Sequence, residues 1–464
     1  MGETPSTPAH VAPDHASVAD AAARDRTFRR VILRFIPFLT FIWFMAWIDR
    51  VNIGFAKLTM MVDLGWSDAI YGAGAGIFFI AYFFFEVPSN LFLQKIGARK
   101  TIRRIAMGWG IVSVLMSLVT EPWQFYMLRF LLGAFEAGLQ PGVLLFLTYW
   151  LPAHRRGKAM AFFLSASAMS LMLGSPLAAW IMTTFDGMAG LYDWQWLFII
   201  EGMPSIIAGV LVWFILTDKP EKATWLSAEE KAHIQFELDA EEKALGHREG
   251  SALASLRQGT TWVLITIYFC IVAGNPTLTF YGPSLVSDAG IDDITPLGWI
   301  MAGVYLCGWI GMVGNGWVAD KLQNPRLTTM IAAGLGATGL LGAMLSISNQ
   351  SLVGVVLSLA LSSLGTMGAI SSFWNLPPMV MSGMALVAGL AIINSIANLA
   401  GYFSPQLLGS MKTATGSYTQ GLMIIAAVEF IGVLLIVFFV RKNPATNKVD
   451  ELIAESAPVR KTTT

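Results

Sequence analysis

KPEKATWLSAEEKAHIQFELDAEEKALGHREG, Lys219 to Gly250, belongs to the only long polar stretch in the interior of this chain. The stretch reads as an amphipathic helix opened by Ser227, with S-A-E-E placing Glu230 at the capping-box position. On either side the sequence turns apolar. The 464 residues are 55% hydrophobic and only 13% charged, where ordinary soluble domains carry about 25% charged residues. A soluble chain of this length needs far more polar surface, so the sequence describes an integral membrane protein.

A membrane-spanning helix takes about 20 mostly apolar residues. Six such runs precede the polar stretch, near 31–56, 71–94, 102–119, 123–149, 157–182 and 196–216. Six more follow, near 260–283, 296–319, 327–347, 351–374, 382–410 and 420–440. The expected organisation is a disordered cytosolic tail (1–28), an N-terminal six-helix bundle (29–216), a cytoplasmic linker (217–259), a C-terminal six-helix bundle (260–441) and a cytosolic tail (442–464). Residues 1–28 lack the apolar core of a cleaved signal peptide.

Charge sets the orientation. Of the 30 Lys and Arg, 26 fall in the two tails, the central linker and alternate loops. The opposite loops hold only Lys57 and Lys412, and Arg50 and Arg129 lie within spans. The positive-inside rule then puts both termini and the linker of this multi-pass protein in the cytoplasm. Net charge is zero, which gives nucleic acid no basic field to bind. The two cysteines, Cys270 and Cys307, sit in apolar runs and suggest neither a disulfide framework nor a zinc site.

The halves repeat. NLFLQKIGARK (Asn90 to Lys100) follows the second span and GWVADKLQNPR (Gly316 to Arg326) the eighth. A shift of 226 residues lays Asn90 on Gly316, Lys95 on Lys321 and Asp49 on Asn275. Parallel repeats of this kind place a central site near mid-membrane.

These turns resemble the loop signature of the major facilitator superfamily, although the first copy has Gln94 and Asn90 where an acid and a glycine are usual. DRVNIGFA (Asp49 to Ala56), FEVPSNL (Phe85 to Leu91), RFLLGAFEAGLQPG (Arg129 to Gly142) and INSIANLAGYFSP (Ile393 to Pro405) more narrowly resemble the anion:cation symporter family. The resemblance covers nearly the whole hydrophobic chain. It implies an all-α protein of 12 transmembrane helices in two pseudo-symmetric six-helix bundles. The implied activity is import of an organic carboxylate by proton symport through alternating access.

Four charges lie where hydrocarbon is expected: Asp49, Arg50, Arg129 and Glu136. Unpaired, they would together cost roughly 10–14 kcal/mol on the lenient insertion scale. Adjacent helix residues project about 100° apart, so one reading sends Arg50 into a central cavity and Asp49 toward span four. There Arg129 and Glu136, seven residues apart, share a face. Buried pairs that merely hold helices together are the bland alternative. The resemblance implies that Asp49 and Glu136 take protons beside Arg129 and that Arg50 holds the substrate anion.

In the second half the polar groups are neutral. Asn275, Ser371, Trp374 and Asn394, with Tyr82 from the first half, are the candidate substrate wall. Glu86, Arg99, Asp320 and Arg326 are candidates for a cytoplasmic gate, with helix-end packing an equal reading for Glu86. Glu201 reads as structural or gating, Glu429 as a partner or lipid-interface residue, and Lys57 as snorkelling outward.

No G-x-x-x-x-G-K-[ST] loop occurs, so ATP is not the evident energy source, and the expected coupling ion is the proton with no other cofactor. All five histidines lie outside the spans, which counts against a membrane enzyme. A uniporter or anion exchanger on the same fold is the nearer alternative, and a non-transporting sensor a further one. The expected partners are a small organic anion and the lipid bilayer, and the expected state is a monomer.

Overall fold

A computed structural model describes residues 15–245, 258–381 and 383–440. The described residues form helices and connecting turns. In chain order the α-helices are α1 (His15–Asp63), α2 (Asp68–Ile96), α3 (Ala98–Met116), α4 (Pro122–Glu136), α5 (Leu139–Thr148), α6 (Ala153–Phe185) and α7 (Asp193–Ile215). The polar stretch forms α8 (Ala228–Leu245). After it come α9 (Gly259–Val272), α10 (Gly274–Ser287), α11 (Ile294–Leu322), α12 (Pro325–Ser348), α13 (Leu352–Phe373), α14 (Pro377–Val380), α15 (Gly383–Ala397), α16 (Ala400–Thr415) and α17 (Thr419–Phe439).

Ten helices among the described residues are long and apolar enough to cross a membrane. The two other expected spans are α3, whose first turns carry Arg99, Lys100, Arg103 and Arg104, and the α15–α16 pair, which is interrupted at Asn398 and Leu399. Three crossings are built from two helices each: α4–α5, α9–α10 and α15–α16. Gly138, at φ +87°, takes the left-handed turn that separates α4 from α5. Near the start of α10, Pro276 lacks the N–H that would continue the hydrogen-bond ladder from α9. Non-helical backbone at membrane depth is tolerated where it is buried in protein or lines a cavity. The interruptions fall beside Glu136, Asn275 and Asn394.

The repeat seen in the sequence is present in the helices. Adding 226 to the bounds of α2, 68 and 96, gives 294 and 322, the bounds of α11. The halves meet along α1–α10, α2–α16 and α6–α11. The last two contacts exchange under the repeat, as a two-fold relation between bundles requires.

α1 begins inside the stretch expected to be a disordered tail. Residues 15–28 are its first turns, in an Ala-rich sequence with high helix propensity, and Asp25 pairs with Arg155 at 2.6 Å. Residues 1–14 and 442–464 of the expected tails lie outside the described residues.

α8 has the expected capping box: Glu230 accepts from the Ser227 N–H at 2.8 Å, and Ser227 Oγ accepts from the Glu230 N–H at 3.1 Å. It docks on the base of α1 through Arg30–Glu230 at 3.0 Å. Trp225, just before it, stacks on Trp150 at 5.8 Å. The Ser227 N–H, and then Arg30, hold the Glu230 carboxyl below the usual carboxylate range. This contribution is therefore present at neutral pH and is lost as pH falls through the lowered value.

Candidate functional site

Arg50 and Glu136 form the centre. Arg50 donates to Glu136 Oε2 from Nη2 at 2.9 Å and from Nε at 3.2 Å. Glu136 is 1% exposed at its side chain and Arg50 12%, so the cation retains access while the acid is sealed. Four rings surround the guanidinium: Trp47 at 4.7 Å, Phe78 at 5.3 Å, Tyr82 at 5.6 Å and Trp43 at 6.0 Å from Cζ. Of its five N–H groups, two are taken by Glu136, which leaves three for a ligand.

Asp49 turns elsewhere. The sequence reading directs it to span four, but it accepts from Ser113 Oγ on α3 at 2.9 Å and from Asn52 Nδ2 at 3.3 Å. Helix rotation explains the difference: with Arg50 committed to α4, the neighbouring residue faces the α3 side. Arg129 is fully buried and donates to the carbonyls of Gly74 and Ala75 at 3.3 and 3.4 Å. Gly133, one turn on, brings α4 against α2 so closely that a Cβ there would lie 2.1 Å from the Phe78 carbonyl.

The second-half candidates make their described contacts within their own half. Trp374 packs edge-on to Tyr268 at 4.9 Å, and Tyr268 stacks on Phe373 at 4.4 Å. Ser371 donates to the Met312 and Gly368 carbonyls. Asn275 is partly exposed, and its side-chain oxygen has no partner among the described residues. Asn394 is also partly exposed, near the end of α15. No hydrogen bond or ion pair joins these residues to Arg50 among the described residues.

Of the gate candidates, Glu86 reaches across the halves, accepting from Ser395 Oγ on α15 at 2.7 Å. Arg99 donates to the Trp213 carbonyl, and its backbone N–H to Asp218 at 2.9 Å. Arg326 donates to the Val437 carbonyl. Asp320 is exposed, and its carbonyl accepts from Gln323. Arg99, Asp320 and Arg326 therefore make their described contacts within their own half. Glu429 is buried, not at a lipid interface, and accepts from Thr366 Oγ1 at 3.1 Å.

Sequence reasoning missed a second cluster at the end carrying the Asp63–Asp68 turn. Lys57 does not snorkel: it is 7% exposed. Its ammonium contacts Asp68 at 2.7 Å, Ser284 Oγ at 3.0 Å and Tyr418 OH at 3.0 Å. Those three bonds use all its protons and tie α1 and α2 to α10 and Tyr418, the residue before α17. Tyr418 in turn donates to Asp68 at 2.9 Å. Around this latch the backbones touch. A Cβ at Gly72 would lie 2.4 Å from the Pro405 carbonyl, and one at Gly409 would lie 2.2 Å from the Asp68 carbonyl. The sequence marks Lys57 and Lys412 as the two basic residues in otherwise acidic loops, without showing their partners.

A Lys57→Met variant keeps side-chain length and loses the bridge. Hydrogen bonds to charged groups contribute about 1.5–3 kcal/mol each, so the open population at this end should rise by about tenfold or more. Spin labels at the exposed residues Val62 and Thr415 would report it as a longer distance. An unchanged distribution would mean that Lys57 is not a latch.

The model of the family described as Major Facilitator Superfamily matches residues 39–405. A protein of Agrobacterium vitis named "Putative tartrate transporter" is 41% identical over 419 residues, covering 90% of this chain and 92% of that one. "Putative metabolite transport protein NicT" of Pseudomonas putida is 38% identical, covering 88% of this chain and 93% of that one. Among solved structures, a D-xylose-proton symporter superimposes with a TM-score of 0.72 at 14% identity, over 89% of this chain and 98% of that one. The chain belongs to the Major Facilitator Superfamily, and it is a multi-pass membrane transporter, not an enzyme.

Proposed function

We propose that the protein imports an organic carboxylate anion together with protons across the bacterial inner membrane, by alternating access. The observation that carries this reading is the Arg50–Glu136 pair: a sealed acid on an accessible cation. Protonation of Glu136 releases two guanidinium N–H groups and leaves a positive charge beside an aromatic wall. An incoming carboxylate restores neutrality there. The loaded carrier is then close to neutral and can rock. Deprotonation on the far side returns Glu136 to Arg50 and displaces the anion.

With the basic loops in the cytoplasm, the Lys57 latch closes the outside, and residues 29–216 and 260–441 are the two rocking bodies about the 217–259 linker. Tyr82, Asn275, Ser371, Trp374 and Asn394 are assigned to the rest of the substrate, and Asp49, Glu136 and Arg129 to the proton. Glu86, with Arg99, Asp320 and Arg326 at the basic end, is assigned to the inner gate. The tartrate in the name of the Agrobacterium vitis relative supports a small polar acid as substrate.

In proteoliposomes, an inward proton gradient should drive concentrative uptake of tartrate or another member of a carboxylate panel, and a protonophore should abolish it. Uptake indifferent to both treatments would replace symport by uniport or exchange.

A further inference from the structure

Where α1, α3 and α7 meet, polar side chains are buried that the Arg50 pair does not answer. Glu201 on α7 is 1% exposed, and neither of its carboxyl oxygens has a hydrogen-bond partner among the described residues. Asn52 is the polar side chain beside it. Asn52 is itself 1% exposed; its Nδ2 donates to Asp49, and its Oδ1 is unpartnered. Asp49 Oδ2 is unpartnered too. The charged group that acts on Glu201 is Asp49, of the same sign. Neither α3 nor α6, which also pack on α7, presents it with a titratable group.

Arg50 is committed to Glu136. Arg129 donates to the carbonyls of Gly74 and Ala75. The seam is tight by construction. A Cβ at Gly202 would lie 2.9 Å from Val114 Cγ2, and one at Gly110 would lie 2.8 Å from the Ile206 nitrogen.

An ionised carboxylate at a helix centre costs at least about 2.5–3.5 kcal/mol, and a like charge beside it adds to that. A neutral carboxyl removes both costs and gains a donor, which the unpartnered Asn52 Oδ1 can accept once Asn52 no longer serves the ionised form. We propose that Asp49, Asn52 and Glu201 form one proton-binding site, distinct from the Arg50–Glu136 pair. In it a proton resides on Glu201, and Asn52 couples that carboxyl to Asp49. Its part in transport rests on the symport reading; its existence does not.

Infrared difference spectroscopy of the reconstituted protein separates protonated from ionised carboxyls. A Glu429→Gln background removes the buried acid of the second half. In that background Glu201→Gln should lose one protonated-carboxyl band at neutral pH. Glu201→Asp should keep it. Asp49→Asn should keep it at a shifted frequency, because the amide network changes. An unchanged band in Glu201→Gln would overturn the site, and an unmoved band in Asp49→Asn would overturn the coupling. If Glu201→Gln does not fold, the Asp49→Asn shift decides alone. Proton-driven uptake measured separately on the wild type decides the symport reading: its absence with the band behaving as expected sinks symport and leaves the site standing.

Discussion

Replacing Arg50 with lysine should weaken binding of the transported carboxylate by about 10- to 100-fold, and Arg50→Ala should weaken it at least as much. Arg50→Lys keeps the charge and loses the planar fork. The guanidinium holds Glu136 through Nε and Nη2 and keeps three N–H groups for a ligand. An ammonium has three protons in all and cannot serve both partners with parallel bonds. A hydrogen bond to a charged group contributes about 1.5–3 kcal/mol, and each 1.4 kcal/mol is about tenfold in affinity. The ligand should be the carboxylate that most raises the melting temperature of the wild type. Titration into each purified variant reads the effect, with Arg29→Lys, at an exposed position, as the reference. Unchanged affinity in a folded Arg50→Ala protein would remove Arg50 from the site, and the carboxylate reading with it.

Glu136→Gln should abolish proton-driven accumulation and leave exchange of labelled for unlabelled substrate in place. Glutamine keeps the volume, and its side-chain oxygen can still accept from Arg50. It can neither take up a proton nor restore a negative charge when the anion has to leave. Like the protonated acid, the neutral amide leaves the Arg50 charge unbalanced, so a carboxylate can dock and leave, and exchange does not need the proton step. Counterflow and gradient-driven uptake in the same liposomes separate the two. Normal accumulation by Glu136→Gln would reassign the proton to another group.

The fold was legible because membrane crossings announce themselves by length and apolarity, and the repeat by the 226-residue shift that also relates α2 to α11. The charges in the first half were legible because hydrocarbon makes them expensive. What could not be read was rotation about each helix axis. In a soluble helix the polar face fixes it; here both the lipid face and the packed face are apolar. Asp49 could therefore be assigned to span four when it bonds Ser113 on α3. Lys57 failed for a related reason. A lysine at a span end normally reaches for water, and nothing local says that Asp68, Ser284 and Tyr418 converge on it from two halves. The Glu86–Ser395 contact joins residues 309 positions apart and leaves no local signature.

At the latched end, the two glycines face main-chain carbonyls of the opposite half: Gly72 against Pro405 and Gly409 against Asp68. The Tyr281 hydroxyl stands 3.0 and 2.8 Å from the same two Cβ positions, so main chain and one ring together make a fit that is strict about bulk. A single added methyl group at either site would hold the doors ajar.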